Sequence, residues 1–346
     1  MQEPIKGAKS FNETLYQKAD EYFASQPLGK HATGVFAAKS VLLLAIYIAA
    51  YIHFLFLSND LSDLMIASVL LGFCHVLIPV NISHDAIHQA VSSRGWINSI
   101  CLCGFELTGV NSFLYSQKHL EAHHNKENGN KMKVIETQSL LMQKKKSGRI
   151  VNLHWILYLF YAQYMIFIRD FMIFYSDPQQ VPARHQIKLF LFKGLYLFAF
   201  LILPFIFIDL SWLLIAASLV FMYLIVTLSL VLILLMPTEK MEHVKTDGHN
   251  ANNDEWAIEI LKNNVDFSPG IPALNLLAGG ANMNVVHYLF PSVCHIHYNR
   301  IAEIIDDVTT EYGLLYRKQL VIDVFSIHYH YIKNIQNGDD QMKSIT

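Results

Sequence analysis

Charge is what this sequence has least of. Asp, Glu, Lys and Arg make up only 16% of its 346 residues, against roughly a quarter in an ordinary soluble domain. The 26 Lys+Arg and 28 Asp+Glu leave a net charge of −2. There is no basic excess to coat a nucleic acid, and the hydrophobicity is too high for a disordered chain. Cysteine is scarce too: Cys74, Cys101, Cys103 and Cys294 are the only four, with no CxxC spacing among them. That excludes a disulfide scaffold and a zinc ribbon, and the four are read as reduced thiols. Internal repeats and low-complexity tracts are also missing. What the chain has instead is apolar surface, with 53% hydrophobic residues and a mean hydropathy of +0.30. A polar-coated globule of this length does not carry so much, and the composition points to a membrane protein.

The apolar residues are gathered into runs. Residues 1–37 form a polar N-terminal segment in which Lys6, Lys9, Lys18 and Lys30 are spread among acids, without the basic start and short apolar core of a signal peptide. A membrane domain follows over 38–335, and 336–346 is a polar tail. Within the domain, runs at 40–57, 64–82, 187–208 and 212–236 are each long enough for a membrane-crossing helix of roughly 20 residues. The links at 58–63 and 209–211 are so short that the four runs must form two helical hairpins. Residues 96–115 carry Asn98, Glu106, Asn111 and Ser112 among apolar neighbours, which suits a shallow dip into the membrane. Residues 155–175 carry Gln163, Arg169 and Asp170, a mixture expected of a helix lying in the interface, with a buried span as the alternative. Two hairpins return the chain to its starting side. The segment 125–151 is rich in lysine, with a Lys144, Lys145, Lys146 run, while the two links contain no Lys or Arg. The positive-inside tendency then puts the large face, the active site and both termini in the cytoplasm.

Histidine is abundant, at 17 residues, and clustered. His84 and His88 stand in HDAIH; His119, His123 and His124 in HLEAHH; His287, His295 and His297 in NVVHYLFPSVCHIHY. All three groups lie just outside apolar runs on the same face. On a helix, residues four apart share a face, so His84 with His88, and His119 with His123, can each chelate one ion. His124 is turned roughly 100° from His123 and can reach a neighbouring ion. Imidazole suits iron, zinc and copper, and such a site at a membrane surface suggests a redox metal handling an apolar substrate. Asp85 and Glu121 are placed to accept the outer N–H of a ligating histidine, or are simply acids on a helix surface. His53 and His75, inside apolar runs, are read as satisfied within the bundle. His243 and His249 follow the last span as candidate extra ligands.

At these boxes the sequence resembles the membrane-bound fatty acid desaturase family, especially its bacterial branch acting on acyl-CoA or lipid-linked chains. The family's first box, HDxxH, is matched by His84, Asp85 and His88; its second, HxxxHH, by His119, His123 and His124; its third by Gly279, Gly280, Asn282, His287, Leu289, Phe290, Pro291, His295, His297 and Tyr298. The likeness runs from roughly residue 35 to 335. The resemblance implies six metal ligands: His84, His88, His119, His123, His124 and His287. There are departures. Family members carry Gln and a second His where this chain has Asn284 and Tyr288, and a ligand His after the last span where this chain reads Leu235-Met236-Pro237-Thr238-Glu239. Asn284 and Tyr288 are then candidate weaker ligands, and His243, His295 and His297 candidate replacements.

The resemblance implies an all-α integral membrane protein with about four transmembrane helices in two hairpins, and a cytoplasmic helical cap carrying a histidine-rich metal site. It implies two iron ions, or one where ligands are replaced. The implied reaction is O2-dependent oxidation of a fatty acyl chain carried on CoA, carrier protein or lipid, with introduction of a C=C bond. Electrons come from a separate donor such as ferredoxin or cytochrome b5 with its reductase, because the chain shows no haem or flavin domain. Three rivals remain at this stage: a lipid hydroxylase on the same scaffold, a degenerate lipid-binding paralogue that has lost its metal, and a histidine-using transporter. The transporter fits poorly, because the clustered histidines lie beyond the spans and not at mid-membrane.

Overall fold

A computed structural model describes residues 10–124, 159–232 and 253–323, with the side chains of the second histidine box described as far as Glu121. The lysine-rich segment, residues 233–252 with Pro237, His243 and His249, and the polar tail lie outside the described residues, as do the expectations for them.

Among the described residues, four helices are long and apolar enough to cross a membrane: Gly34–Leu57, Leu61–Ile87, Ala183–Phe207 and Trp212–Leu230. They correspond to the four apolar runs of the sequence. The first two start earlier than the runs because polar caps, and not the apolar window, set a helix start. The Thr33 hydroxyl accepts the Val35 N–H before α2 (Gly34–Ile52). The Asp60 carboxylate accepts the Asp63 N–H before α3 (Leu61–Ile78). The second span also ends later. A π-helical turn over Pro79–Ser83 carries α3 directly into the short α4 (His84–Ile87). Such turns insert a residue into the helical register and recur at functional sites. Here the turn sets the direction in which His84 and His88 point.

Within the bundle, Ser68 donates to the carbonyl of Ser218, and a Cβ on Gly72 would meet the Met222 carbonyl oxygen at 3.0 Å and Ile225 at 2.8 Å. Residue numbers rise together on the two helices, so the second and fourth spans run parallel and both hairpins open at the same end. His75 sits in this core. Its Nδ1 donates to the Leu71 carbonyl and its Nε2 takes a hydrogen bond from the Tyr196 hydroxyl, so it is locally satisfied as expected.

At the open end, α5 (Gly95–Leu107) and α6 (Ser112–His124) meet at 105°, a broken helix where the sequence suggested a dip. Its neighbour, α7 (Arg169–Ser176), follows a π-helical turn over Tyr164–Ile168. The charges of this stretch face inward, with Arg169 and Asp170 buried, while Ile168, Met172 and Tyr175 are exposed. The sequence leaves this stretch between a helix lying in the interface and a buried span. The inward turn of Asp170 is explained by Lys193, which reaches it from α8 (Ala183–Leu197), the first part of the third span. The fourth span is α9 (Trp212–Leu230).

The cap has its own core. Helix α1 (Phe11–Ala24) opens on a capping box between Ser10 and Glu13 and buries Phe11, Leu15 and Ala19, a stripe spaced by four. That stripe packs with α10 (Asn253–Asn263), α12 (Asn284–Leu289) and α13 (Tyr298–Glu311); α11 (Pro272–Leu277) lies between α10 and α12 in sequence. The only described strands, β1 (Asp266–Phe267) and β2 (Lys318–Gln319), form a two-residue parallel pair.

Asp266 is the polar anchor of the cap. Fully buried, it accepts from the Val285 N–H at 2.7 Å and the Tyr316 hydroxyl at 2.5 Å, fixing α12 against the strand pair. Burial raises its pKa from 3.8 to about 7, outweighing these hydrogen bonds. A folded-state pKa above the unfolded one means that the native state holds the extra proton between the two values. The Asp266 contribution to stability is therefore complete at low pH and is lost as pH rises through about 7. Asp266→Asn removes that titration. Thermal melts of the variant and the parent, compared from about pH 5 to about pH 8, are expected to shift in the variant's favour as pH rises. Parallel profiles would show that Asp266 does not titrate in this range.

Candidate metal centre

Four imidazoles from three separate parts of the chain converge at the open end of the bundle. His84 and His88 come from α4 and the residue after it, His119 from the second turn of α6, and His287 from α12. One ring nitrogen of each lies within 4.8 Å of the others. Ring centroids are 4.8 Å apart for His84–His287, 4.9 Å for both His84–His119 and His88–His287, and 5.0 Å for His88–His119. The Nε2 atoms of His88 and His119 face each other at 2.9 Å.

Nitrogens bound to a common ion at about 2.1 Å lie no more than about 4.2 Å apart. The four donors thus need only small adjustments to close on one metal, and an all-imidazole set suits iron, copper or zinc. His287 is further constrained on its outer side, where Nδ1 meets the Tyr298 hydroxyl at 3.1 Å. A partner of this kind fixes ring orientation and leaves Nε2 for the site.

Two glycines let the cap approach. Gly279 and Gly280 have φ of +60° and +75°, the left-handed region. A Cβ on Gly279 would come within 2.7 Å of the Val80 carbonyl oxygen, and one on Gly280 within 2.6 Å of the Tyr298 ring. Here the third histidine box lies directly on the π-helical turn that aims the first, which only glycine permits.

The remaining candidates are placed as follows. His123 and His124 lie on α6 beyond its last described side chain. Asn284 is buried at the start of α12, and Tyr288 is partly buried with its ring 5.8 Å from that of His287. His297 points away from the cluster: Nε2 donates to the His31 carbonyl at 3.0 Å and Nδ1 accepts from the Tyr22 hydroxyl at 2.9 Å. Burial pushes its pKa down, consistent with this neutral, doubly bonded ring. His295 is likewise committed. Its Nδ1 meets Asp85 Oδ2 at 2.8 Å and its Nε2 meets Lys39 Nζ at 2.5 Å. Asp85, Cys294 and His295 lie close enough together to suggest a second ion site, but the Lys39 ammonium already takes the outer nitrogen of His295. Asp85 thus serves His295 and not a ring of the cluster, and Glu121 pairs with Lys118 on an exposed face. All four cysteines are free.

Sequence reasoning did not single out Lys39 or Lys193, and it took Tyr298 only as part of a motif. A basic residue at the very edge of one apolar run and another within a second were the available signals, since a charge in a span is costly unless it has a partner.

The sequence model of the fatty acid desaturase family matches residues 63–320, which takes in all three histidine boxes and all four cluster histidines. The sn-1 linoleoyl-lipid 6-desaturase of Arthrospira platensis is 28% identical, with 94% of this chain and 92% of that protein aligned. The enzyme of the same name from Synechocystis sp. is 27% identical over 89% of this chain and 90% of its own length. The acyl-lipid (8-3)-desaturase of Physcomitrium patens is 25% identical over 90% of this chain and 69% of its own. The chain belongs to the fatty acid desaturase family. It is a membrane oxidoreductase that desaturates fatty acyl chains.

Proposed function

We propose that this chain inserts a double bond into a fatty acyl group esterified to a membrane lipid, using two iron ions held by His84, His88, His119, His123, His124 and His287. The observation that carries the reading is the convergence of His84, His88, His119 and His287 at the open end of a four-span bundle. A lipid-linked substrate is supported by the two relatives that align over about nine-tenths of their length and act on linoleoyl-lipid at position 6. Position 6 is accordingly the proposed site of attack.

The reaction converts –CH2–CH2– to –CH=CH–. With O2, two electrons and two protons entering, the two hydrogens removed leave in two molecules of water. Bound iron supplies the O2-dependent oxidation of an unactivated C–H bond; the protein's part is to hold, orient and shield. His287 is buried and the other three cluster rings are half-buried, which limits the water that reaches the site. The lysine-rich run of the sequence supports a site on the cytoplasmic side, where a separate donor such as ferredoxin or cytochrome b5 would deliver electrons.

The test is expression of the full chain in a host supplied with linoleate and a matching donor, with lipid classes separated before the acyl chains are analysed. The expected product is an acyl chain with one more double bond at position 6, appearing first in the glycerolipid fraction. A hydroxylated chain, or first appearance in the acyl-CoA pool, would overturn the reading.

A further inference from the structure

Lys39 lies one turn inside the first span, yet its ammonium is fully engaged. It donates to Asn81 Oδ1 at 2.8 Å, the Leu276 carbonyl at 2.9 Å and His295 Nε2 at 2.5 Å. Three donors meet three acceptors, on the π-helical turn before α4, on α11, and on the turn that follows α12. One side chain of α2 thus ties together the two distant segments that carry His84 and His287.

The chemistry of the contact orders the rest. An ammonium has only donors, so His295 Nε2 must accept and its proton must reside on Nδ1. Nδ1–H then donates to Asp85 Oδ2 at 2.8 Å, and the same oxygen accepts the His295 backbone N–H at 3.1 Å. Asp85 sits on α4 between the two histidines that helix presents. Fixing its carboxylate fixes the rotation of α4 about its own axis.

We infer that Lys39 is a positioning residue for the metal centre: acting through His295 and Asp85, it locks the rotation of α4 that aims His84 and His88 at His119 and His287. The inference rests on the iron-binding reading above, and the experiment separates the two. Ferrous iron affinity and the visible spectrum of the cobalt-substituted centre are measured on the purified full-length protein, on Lys39→Met, on His295→Ala and on the double variant. Lys39→Met, which keeps the chain length and removes the donors, is expected to weaken iron binding by about 10–100-fold and to alter the cobalt spectrum. In the His295→Ala background it is expected to add little, because the pathway is already cut. Unchanged affinity and spectrum in Lys39→Met overturn the inference, as do fully additive losses. Absence of iron binding by the unsubstituted protein overturns the iron reading instead.

If Lys39→Met does not fold, nitrogen NMR of the unsubstituted, histidine-labelled protein decides. A proton on His295 Nδ1 is the expected result, and one on Nε2 alone contradicts the inference.

Discussion

His119→Ala is expected to cut desaturation at least about a hundredfold and to lower the iron bound by the protein while leaving the fold intact. His119 stands on α6, beyond the 105° break, and meets His88 nitrogen to nitrogen at 2.9 Å. Removing it opens one side of the cluster, leaving three imidazoles that approach the fourth position from α4 and α12 alone. Replacing groups that merely orient ligands already costs 10–100-fold. Loss of a ligand is expected to exceed that, lowering product formation by at least about two orders of magnitude. The ring is half-buried, with Tyr115 parallel to it at 5.9 Å, so its removal leaves no unpaired buried charge. Thermal unfolding should therefore move little. The measurement is iron per chain together with lipid product, and parental values of both would show that His119 lies outside the working site.

Lys193→Met is expected to produce a large loss of stability. The Lys193 ammonium is buried within the third span and donates to the Gly109 carbonyl at 2.5 Å, the Ile166 carbonyl at 2.6 Å and Asp170 Oδ2 at 2.8 Å. The same Asp170 oxygen accepts the Asn111 N–H at 2.7 Å. Beside it Lys188 pairs with Glu106 at 2.9 Å, and Glu106 in turn holds the Ser112 N–H and hydroxyl. This cluster clamps the break between α5 and α6, whose freed backbone groups have no water to turn to within a membrane. Substituting Met leaves two carbonyls without their cation and the buried Asp170 carboxylate with only the looser Arg169 guanidinium at 3.9 Å, an expected cost of about 3 kcal/mol.

The second substitution in the pair is informative. Lys193→Met with Asp170→Asn removes the stranded charge, and the Asn oxygen still accepts from Asn111. About half of the loss should return, because a buried charge without its partner costs more than the absence of the pair. The check is thermal unfolding of the single and double variants in detergent. If the double variant is less stable than the single, the ion pair is not what closes the break. The stacking of Arg169 over Tyr115 at 5.1 Å, and of Tyr115 against His119, carries any loosening of the break toward the metal centre.

Much of this was legible in the residue order. Long apolar runs and three- to six-residue links define two hairpins, because a membrane leaves a chain few alternatives. The HDxxH and HxxxHH spacings mark which imidazoles can share a face, and the structure brings His84, His88 and His119 together with His287. What spacing cannot state is where a side chain turns once the chain has folded. His295 and His297 follow His287 closely in sequence, yet one turns to Lys39 and Asp85 and the other to Tyr22 and His31. Asp85 sits between two cluster histidines and serves a third ring 210 residues away. Lys193 and Lys39 are charges in apolar surroundings whose partners Asp170 and His295 lie 23 and 256 residues distant. Their presence signals a partner, but only packing names it. Span ends moved for a local reason: Thr33 and Asp60 start helices before the apolar window opens, and the π-helical turn at Pro79 carries the second span to Ile87.

The most direct measurement is anomalous diffraction at the iron edge from crystals of the iron-loaded protein. The account predicts a peak at coordinating distance, about 2.1 Å, from a ring nitrogen of each of His84, His88, His119 and His287. Iron bound elsewhere, or at a position that leaves any of those four rings unligated, would contradict it.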